Sequence, residues 1–422
     1  MRRLHRRPAE ENGPEGVRSG HGMGRLALSL GRARRKITRR WATVFAILCA
    51  GIVIFCLLVW PFTRTHLQAI AVLREIANQP VPSGTRGGRR SNHNSGSGFH
   101  GAVDQGPTGG ASAVVHSPQR TNAPALVIFH GVHHLGIDEP RLMGFAKAMA
   151  SCGLRVLTPE LPDIKDYRVS EDSVQTIGES VKWFAAQTGG PVGVMGLSFS
   201  GGLALVAAAD PLYRSDFKFA LAVGSQGSMT RVTQYYMTGR DIRPDGLGES
   251  LKPHEYGPLV LEYEYLEDFV SAAKLERFRA VLRAHLYEDK QDEARALSAL
   301  NAVDTREVLE LMDTSLPATR AKIAASIARH AYEFAALSPE GHLRTLTTPV
   351  YLLHGRADNI IPSAETLWME SELPPKYLRA VLVSPVLSHI NLDDPQPALM
   401  DEWHVVHFFA LVMREAESKS GG

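Results

Sequence analysis

The chain has 422 residues, of which 44% are hydrophobic and 21% are charged. These fractions are typical of a globular protein, and the length allows a core domain, a large insertion and an appended segment. The net charge of +2 excludes a strongly basic or acidic protein overall. The excess of Arg and Lys is confined to the residues before Trp41, so the basic character is local.

The first 62 residues combine a basic tail with an apolar segment. Residues 1–41 carry a basic cluster at 34–40, and the run from Ala42 to Phe62 contains no charged residue. About 20 apolar residues span a bilayer, and Trp41 and Trp60 stand at the two ends, where aromatic side chains prefer the membrane interface. We therefore predict a transmembrane helix at 42–62, with a cytoplasmic N-terminus and the globular part of the chain on the extracytoplasmic side.

Two other interpretations of this apolar segment are weaker. A buried core helix would also be apolar, and a cleaved signal peptide would also lie near the N-terminus. The basic region and the apolar run are both too long for a signal peptide. The possible cleavage motif Ala69-Ile70-Ala71 follows the apolar run by several residues. A single-pass signal anchor therefore fits best.

Residues 63–112 are predicted to connect the span to the globular part. Thr63–Asn78 has apolar residues at helical spacing, so it either extends the span as a stalk or packs on the domain. Residues 79–112 are rich in Pro, Gly, Ser and Arg and have too few apolar side chains to fold. We predict a flexible linker there, and its lack of interleaved aromatic residues gives little support to RNA binding.

From Ala113 the chain alternates between apolar strands and amphipathic helices. The predicted strands are 125–129, 154–158, 192–195, 217–224, 349–353 and 378–383. The predicted helices are 138–153, 171–188, 363–370 and 397–416, with an Ala- and Leu-rich helix ending near Asp210. This alternation specifies an α/β fold, in which a doubly wound, mostly parallel sheet is wrapped by helices.

The alternation stops between residues 229 and 341. This segment shows mainly helical patterning, at 266–286, 292–303, 305–312 and 317–337. A gap of this length is far longer than an ordinary connection between strands. We predict a helical insertion into a core formed by residues 113–228 and 342–417. The alternative is a separate helical domain with no role at the site.

The segment from Pro191 to Asp210 contains the motif that points to chemistry. A short apolar strand leads through Gly196-Leu197-Ser198-Phe199-Ser200 into a helix. A serine on a sharp strand-to-helix turn requires small second neighbours, because the turn brings their Cα atoms close together. The segment resembles the nucleophile elbow of the α/β-hydrolase family, G-x-S-x-G, with serine in place of the last glycine. The resemblance implies that Ser198 is the nucleophile and that residues 229–341 form a cap over the active site.

Two further loops extend the resemblance to that family. The sequence H-G-x-x-D, which ends at Asp358, follows a predicted strand, and His389 lies in the loop after the last predicted strand. A serine hydroxyl needs a base, and the base needs a carboxylate to orient it. The chain order Ser198, Asp358, His389 is that of an α/β-hydrolase triad. Glu160 and Asp163, which follow another predicted strand, are the alternative acids.

The residues around the nucleophile predict the rest of the site. The backbone N–H groups of Phe199 and of Val132, which follows a His-Gly pair, are expected to bind the oxyanion. His133 and His134 either line the substrate pocket or support their loop. Tyr256, one of several tyrosines early in the cap, is expected to line the acyl pocket.

The chain contains no metal-ligand spacing, phosphate-binding glycine loop or dinucleotide fingerprint. Cys49 and Cys56 lie in the predicted span, so only Cys152 remains beyond it and no disulfide can form within the exported domain. We therefore expect neither a metal nor a cofactor, and no nucleic-acid partner.

The resemblance implies a membrane-anchored serine hydrolase that cleaves carboxylic esters through an acyl-enzyme. A peptidase or aminopeptidase and an acyltransferase remain alternatives, because these reactions can use the same triad. A hydrolase fold that binds without catalysis is the alternative from another class, and the intact triad argues against it. The expected partners are a small-molecule ester or acyl substrate and a membrane.

Overall fold

A computed structural model describes residues 22–77, 100–105, 112–117, 123–387 and 398–418. The chain divides into two compact units, residues 1–63 and 64–422. The described residues of the first unit belong to helix α1, which extends from Gly22 to Ala77. The side chains from Val44 to Phe62 are exposed, and α1 is the one helix of the described chain that is long and apolar enough to cross a membrane.

The second unit is built around a large sheet. The strands are β1 His100–Gln105, β2 Ser112–Ser117, β3 Ala125–Phe129, β4 Arg155–Pro159, β5 Val192–Leu197, β6 Phe217–Val223, β7 Arg240–Ile242, β8 Gly248–Ser250, β9 Val350–Gly355 and β10 Leu378–Ser384. Within the described chain, eight of them form the main sheet in the order β1-β2-β4-β3-β5-β6-β9-β10, and β7 pairs with β8 separately. The six strands from β4 to β10 in this order are parallel, while β1 and β2 add antiparallel pairs at one edge.

Helices cover both faces of this sheet and form most of the insertion between β6 and β9. They are α2 Pro140–Ser151, α3 Pro162–Lys165, α4 Glu171–Thr188, α5 Phe199–Ala209, α6 Met229–Thr238, α7 Tyr256–Glu264, α8 Leu275–Leu286, α9 Lys290–Ser298, α10 Ala302–Met312, α11 Pro317–Arg329, α12 Ala331–Ala336, α13 Ala364–Glu372 and α14 Leu399–Glu417. Short 3-10 helices lie at Gly136–Asp138, Arg214–Asp216, Leu266–Asp268 and Leu343–Thr345. Capping residues mark where a helix begins and ends, as α4 illustrates. The side chain of Ser170 accepts a hydrogen bond from the N–H of Ser173 at the start of the helix, and Gly189, with φ 76°, ends it.

Alternate residues of the central strands face two separate cores. On β3, Val127 and Phe129 pack in one core with residues of α4 and α5, whereas Leu126 and Ile128 pack in the other with residues of α2 and α14. A strand buried on both faces explains why these segments are continuously apolar. The predicted α/β class, a doubly wound and mostly parallel sheet with a helical insertion between β6 and β9, is confirmed by the strand order and the helices on both faces.

The segment after the predicted span packs on the domain, which is the second of the two alternatives for it. Ala69 and Val72 are buried in the same core as α2 and α14. The side-chain amide of Gln68 donates to the carbonyl oxygen of Cys152 at 2.8 Å, and Arg64 pairs with Glu417 at 2.6 Å. Residues 64–77 are therefore an integral part of the second unit.

The predicted linker differs from the structure at β1. Residues 100–105 lie inside the segment expected to be flexible, yet they pair with β2 along its whole length, from His100 opposite Ser117 to Gln105 opposite Ser112. Backbone hydrogen bonding to an exposed strand edge orders a segment that has few apolar side chains, because the bonds do not depend on side-chain type. Composition alone misses this kind of order.

The insertion at 229–341 is mainly helical, with α6 to α12 and the small β7–β8 hairpin. The single helix predicted at 266–286 is instead a 3-10 turn followed by α8, because Leu266 and Phe269 are buried in a turn rather than on a continuing helix. At its start the insertion is held to the core by Glu365, which accepts hydrogen bonds from the N–H groups of Gly227 and Ser228 at 2.9 and 2.7 Å.

One carboxyl group in this insertion is fully buried. Glu262 on α7 has no exposed surface, and neither of its carboxyl oxygens has a hydrogen-bond partner among the described residues. Burial raises the pKa of Glu262 to about 9, and the positive charge of Lys322 offsets only part of the effect. Glu262 is therefore a neutral acid near pH 7.

Replacement of Val72 by Asp should destabilise the domain by about 3 kcal/mol or more, because it buries an unpaired charge in the core shared with α2 and α14. Thermal unfolding of the full chain in detergent measures the change. Leu67→Asp is the matched control, since Leu67 lies on the same helix and is 55% exposed. Equal effects of the two substitutions would contradict the packing of residues 64–77 on the domain.

Candidate active site

Ser198 lies on a strained turn between β5 and α5. Its backbone has φ 56° and ψ −134°, a conformation that side-chain-bearing residues rarely adopt and that is concentrated at functional sites. The turn is held by a hydrogen bond from the N–H of Ser198 to the carbonyl oxygen of Val223 on β6, at 2.8 Å. The Ser198 side chain makes no capping hydrogen bond to α5. This geometry matches the predicted nucleophile elbow.

Small residues around the turn are a steric requirement. A Cβ atom on Gly196 would lie 2.4 Å from the Cα of Gly201, so the strand and the helix meet without room for a side chain. Ser200 replaces the usual last glycine of the motif. Its hydroxyl is fully buried and accepts a hydrogen bond from the N–H of Leu197 at 3.0 Å, so a hydroxyl is accommodated in the turn.

The loop after β3 approaches the nucleophile closely. A Cβ atom on Gly131 would lie 3.2 Å from the Cβ of Ser198, and Val132 follows directly. The loop is anchored by His130, whose Nδ1 lies 2.9 Å from the carbonyl oxygen of Gly131 and whose Nε2 accepts the N–H of Leu161 at 2.9 Å. These partners require the neutral ring with a proton on Nδ1. Burial lowers the pKa of His130 to about 4, which keeps the ring neutral.

Asp358 lies in the loop after β9 and is 2% exposed. Its Oδ1 accepts hydrogen bonds from the N–H groups of Ile360 and Ile361, at 2.9 and 3.0 Å. Its Oδ2 lies 3.6 Å from Nε2 of His354, and a Cβ on Gly224 would lie 3.3 Å from the same oxygen. The carboxylate is therefore fixed at the carboxyl edge of the sheet, on the side of β5 that leads to β10.

His389 lies outside the described residues. The described part of its loop ends at Leu387, whose carbonyl oxygen would lie 1.9 Å from a Cβ on Gly355. The chain therefore enters the loop of His389 directly beside the end of β9. A residue with a side chain at position 355 would clash with the backbone of Leu387, so glycine is required there. Because β10 neighbours β9, the loop that carries His389 starts next to the loop that carries Asp358.

The alternative acids, Glu160 and Asp163, both have charged partners and lie on the opposite side of β5 from Asp358. Glu160 pairs with Lys165 at 3.0 Å, and Asp163 pairs with Arg168 and accepts a hydrogen bond from the hydroxyl of Ser170. Both follow β4, which is separated from β9 and β10 by β3, β5 and β6. The strand order therefore favours Asp358 over Glu160 and Asp163.

The two predicted histidines form a stack with a cap residue that the sequence analysis missed. The ring of His133 stacks on His134 with centroids 4.6 Å apart, and His134 stacks on Tyr287 at 5.0 Å. The Tyr287 hydroxyl donates to Asp166 at 2.9 Å, which fixes the ring on the core. Desolvation lowers the pKa of His134, although the charge of Glu288 opposes the shift. The structure thus places the loop after β3, which carries His133 and His134, in contact with the insertion.

Tyr256 lies beside this stack. Its hydroxyl donates to Oε1 of Glu288, the residue after Tyr287, at 2.6 Å, and its ring packs edge-on against His254 at 4.9 Å. The N–H of His254 in turn donates to the carbonyl oxygen of Asn359 in the acid loop, at 2.8 Å. The structure therefore brings His133, His134 and Tyr256 to one region, and the insertion contacts both the loop after β3 and the loop after β9. Their role in substrate binding stays a prediction.

In the described part of the chain, no group of three or more His, Cys, Asp or Glu side chains is arranged to hold a metal ion. What the arrangement offers is a half-buried serine on a strained turn, the backbone of the loop after β3 next to it and a fixed carboxylate. These are the components of acyl transfer by a serine.

No protein-family model and no curated protein matches the chain. The solved structures that are similar include a putative lipase from Acinetobacter baumannii AYE, with 18% identity and a TM-score of 0.37 over 68% of this chain and 83% of that one. A membrane phospholipase A described as a bacterial virulence factor has 16% identity and a TM-score of 0.38 over 90% of this chain and 100% of that one. An acylaminoacyl peptidase of Pyrococcus horikoshii has 14% identity and a TM-score of 0.39 over 68% of this chain, which spans 36% of the peptidase. At these levels the likenesses carry no argument for an activity.

Replacement of Tyr287 by Ala should lower kcat for small acyl esters by roughly tenfold to a hundredfold, because the loop after β3, which is expected to bind the oxyanion, loses the ring that stacks on His134. Tyr287→Phe keeps the ring and loses only the hydrogen bond to Asp166, so most of the activity should remain. Steady-state kinetics with p-nitrophenyl esters, with unfolding temperatures as a check on folding, separates the two. An unchanged kcat in Tyr287→Ala would contradict a positioning role for the stack.

Proposed function

We propose that the protein is a serine hydrolase that cleaves carboxylic esters through an acyl-enzyme, with Ser198 as nucleophile, His389 as general base and Asp358 as the orienting acid. The observation that carries the proposal is the strained backbone of Ser198 beside Gly131, on an elbow whose strand lies in the same parallel sheet as the strand before Asp358. Strain of this kind costs on the order of 1–3 kcal/mol and has no structural benefit of its own.

The proposed reaction proceeds in two halves. In the first, the Ser198 oxygen attacks the ester carbonyl carbon while its proton passes to His389, and the imidazolium is stabilised by Asp358. The negative charge on the carbonyl oxygen is bound by the N–H groups of Phe199 and Val132. The C–O bond of the ester then breaks, and the leaving alcohol takes the proton from His389. In the second half, a water molecule attacks the acyl carbon by the same route and releases the acid.

The same residues could transfer the acyl group to an acceptor other than water, or could accept it from an amide. A peptidase or aminopeptidase and an acyltransferase are therefore the alternatives within the same chemistry, and a silent binding module is the alternative outside it. Labelling with a fluorophosphonate separates an enzyme from a binding module. A panel of acyl esters and aminoacyl amides then separates esterase from peptidase, and added alcohol acceptors reveal acyl transfer.

We propose further that residues 42–62 anchor the protein in a membrane with the catalytic domain on the extracytoplasmic side. The basic cluster at 34–40 supports this orientation. The burial of Ala69 and Val72 supports retention of the segment, since cleavage at Ala69-Ile70-Ala71 would remove part of the core that they share with α14.

A reporter fused after Gly422 should be active only outside the cytoplasm, because the positive-inside rule places the basic cluster inside. A pair of reporters with opposite compartment requirements, such as alkaline phosphatase and a fluorescent protein, measures this directly. Deleting residues 42–62 is the control, since it should return the reporter to the cytoplasm. Cytoplasmic activity in the full chain would contradict the orientation.

The triad should respond to substitution as a unit. Ser198→Ala and His389→Ala should each lower turnover on the order of a millionfold, and combining them should add little. Asp358→Asn keeps the side-chain shape but permits the wrong histidine tautomer, so a loss on the order of ten-thousandfold is expected. Asp163→Asn is the matched control and should retain near-normal turnover. The reverse result, with Asp163→Asn inactive and Asp358→Asn active, would assign the acid to the β4 loop.

A further inference from the structure

The first turns of α14 expose an apolar surface. The exposed fractions are 84% for Leu399, 62% for Met400 and 46% for Trp403, and we name these three residues the α14 patch. The rest of the helix buries its apolar residues in the core, namely Val405, Phe408, Phe409, Ala410, Val412, Met413 and Ala416. A cluster of large apolar side chains left in water at the end of an otherwise buried helix indicates a surface that another body covers.

The α14 patch lies toward the carboxyl edge of the sheet. Lys218, near the start of β6, donates to the carbonyl oxygen of Ala416 at 2.8 Å, and the hydroxyl of Tyr351, near the start of β9, donates to Glu415 at 3.2 Å. The C-terminal end of α14 is therefore at the amino edge of the sheet, and its first turn is at the opposite edge. Ser198 and Asp358 lie at that same edge.

The α14 patch is also tied to the segment that follows the predicted span. The Trp403 ring stacks on His66 with centroids 5.3 Å apart, and Nε2 of His66 lies 3.0 Å from Nδ1 of His407 on the next turn of α14. His66 follows Phe62, the last residue of the predicted span, by four positions in the chain. A residue in contact with the patch is therefore separated from the end of the predicted span by only three residues of chain.

We propose that the α14 patch inserts into the polar–apolar interface of that bilayer. Tryptophan is favoured at this depth, and Leu399 and Met400 supply the apolar contact that holds an amphipathic helix end in the interface. Asp401 and Glu402 stand in the same turn and disfavour an anionic surface, so the partner is a zwitterionic phospholipid bilayer. The contact holds the carboxyl edge of the sheet beside the lipid, so an acyl substrate reaches Ser198 from the membrane. This last consequence rests on the proposed function, whereas the contact itself does not.

Photocrosslinking tests the contact without any catalytic readout. The full chain, with Met400 replaced by p-benzoylphenylalanine, is reconstituted in phosphatidylcholine nanodiscs and irradiated, and adducts are identified by mass spectrometry. Lipid adducts are expected at position 400. The same replacement at Tyr332, which lies in the cap and is 86% exposed, is the matched control and should give none. Replacement of Ile52, in the predicted span, is the positive comparison.

Each other outcome overturns the proposal in a distinguishable way. Lipid adducts at position 52 without adducts at 400 remove the contact and leave the anchor. A protein–protein adduct at 400 identifies a second copy of the chain as the occupant. Equal lipid adducts at 332 and 400 show that no particular surface faces the bilayer. An absence of lipid adducts at 52 removes the anchor and the contact together.

Kinetics test the route of the substrate. In the variant with both Leu399→Glu and Met400→Glu, the rate on a long-chain ester embedded in phosphatidylcholine vesicles should fall roughly tenfold, while the rate on a short water-soluble ester stays unchanged. Val303→Glu, at a cap residue that is 71% exposed, should change neither rate. An unchanged rate on the embedded ester overturns substrate entry from the membrane. If the unaltered protein cleaves neither ester, the proposed function fails, while crosslinking still decides the contact.

Discussion

The close packing around Ser198 constrains how three parts of the sheet come together. The turn brings the Cα of Gly201 against Gly196, and the loop after β3 places Gly131 against the serine side chain. A methyl group at Gly196 would meet backbone atoms of α5 at 2.4 Å, so it could not be absorbed by a flexible side chain. The elbow can therefore form only when β3, β5 and α5 are all in place. Its strain is sustained by the burial of the strands on either side rather than by the turn itself.

The insertion at 229–341 is connected at two separate points to loops at the carboxyl edge of the sheet. Tyr287 stacks on His134 in the loop after β3, and His254 donates a backbone hydrogen bond to Asn359 in the loop after β9. The hydroxyl of Tyr235 donates to the same carbonyl oxygen at 3.1 Å. The insertion therefore supports the geometry of both loops. A displacement of the insertion would be transmitted to the loop after β3 and to the loop after β9 at once.

The sequence predicts those features that depend on short-range patterns. The apolar runs and the small neighbours of Ser198 were sufficient for the fold class and the elbow, since both depend on residues close together in the chain. The order of the strands, which separates Asp358 from Glu160 and Asp163, is a long-range property and needed the structure. The spacing of apolar residues after Thr63 fits a free stalk and a packed helix equally well.

Three other features could not be predicted, because no pattern of neighbouring residues in the sequence indicates them. Tyr287 meets His134 only through the packing of the cap, and no spacing in the chain brings the two residues together. β1 is ordered by backbone pairing with β2, and the amino-acid composition of a segment does not reveal such pairing. The break between Leu266 and α8 follows from burial of a turn, which leaves the same apolar pattern as a continuous helix.

The buried side chains His130 and Glu262 make the folding stability depend on pH in opposite directions. His130 is held neutral with a pKa of about 4 against an ordinary 6.5, so its contribution to stability is complete above pH 6.5 and is lost as the pH falls toward 4. Glu262 is held protonated with a pKa of about 9 against an ordinary 4.5, so its contribution is complete below pH 4.5 and is lost as the pH rises toward 9. Between about pH 4.5 and 6.5 the two losses oppose each other, and their combined effect is nearly flat. His130 therefore accounts for a loss of folding stability toward acid, and Glu262 for a loss toward alkali.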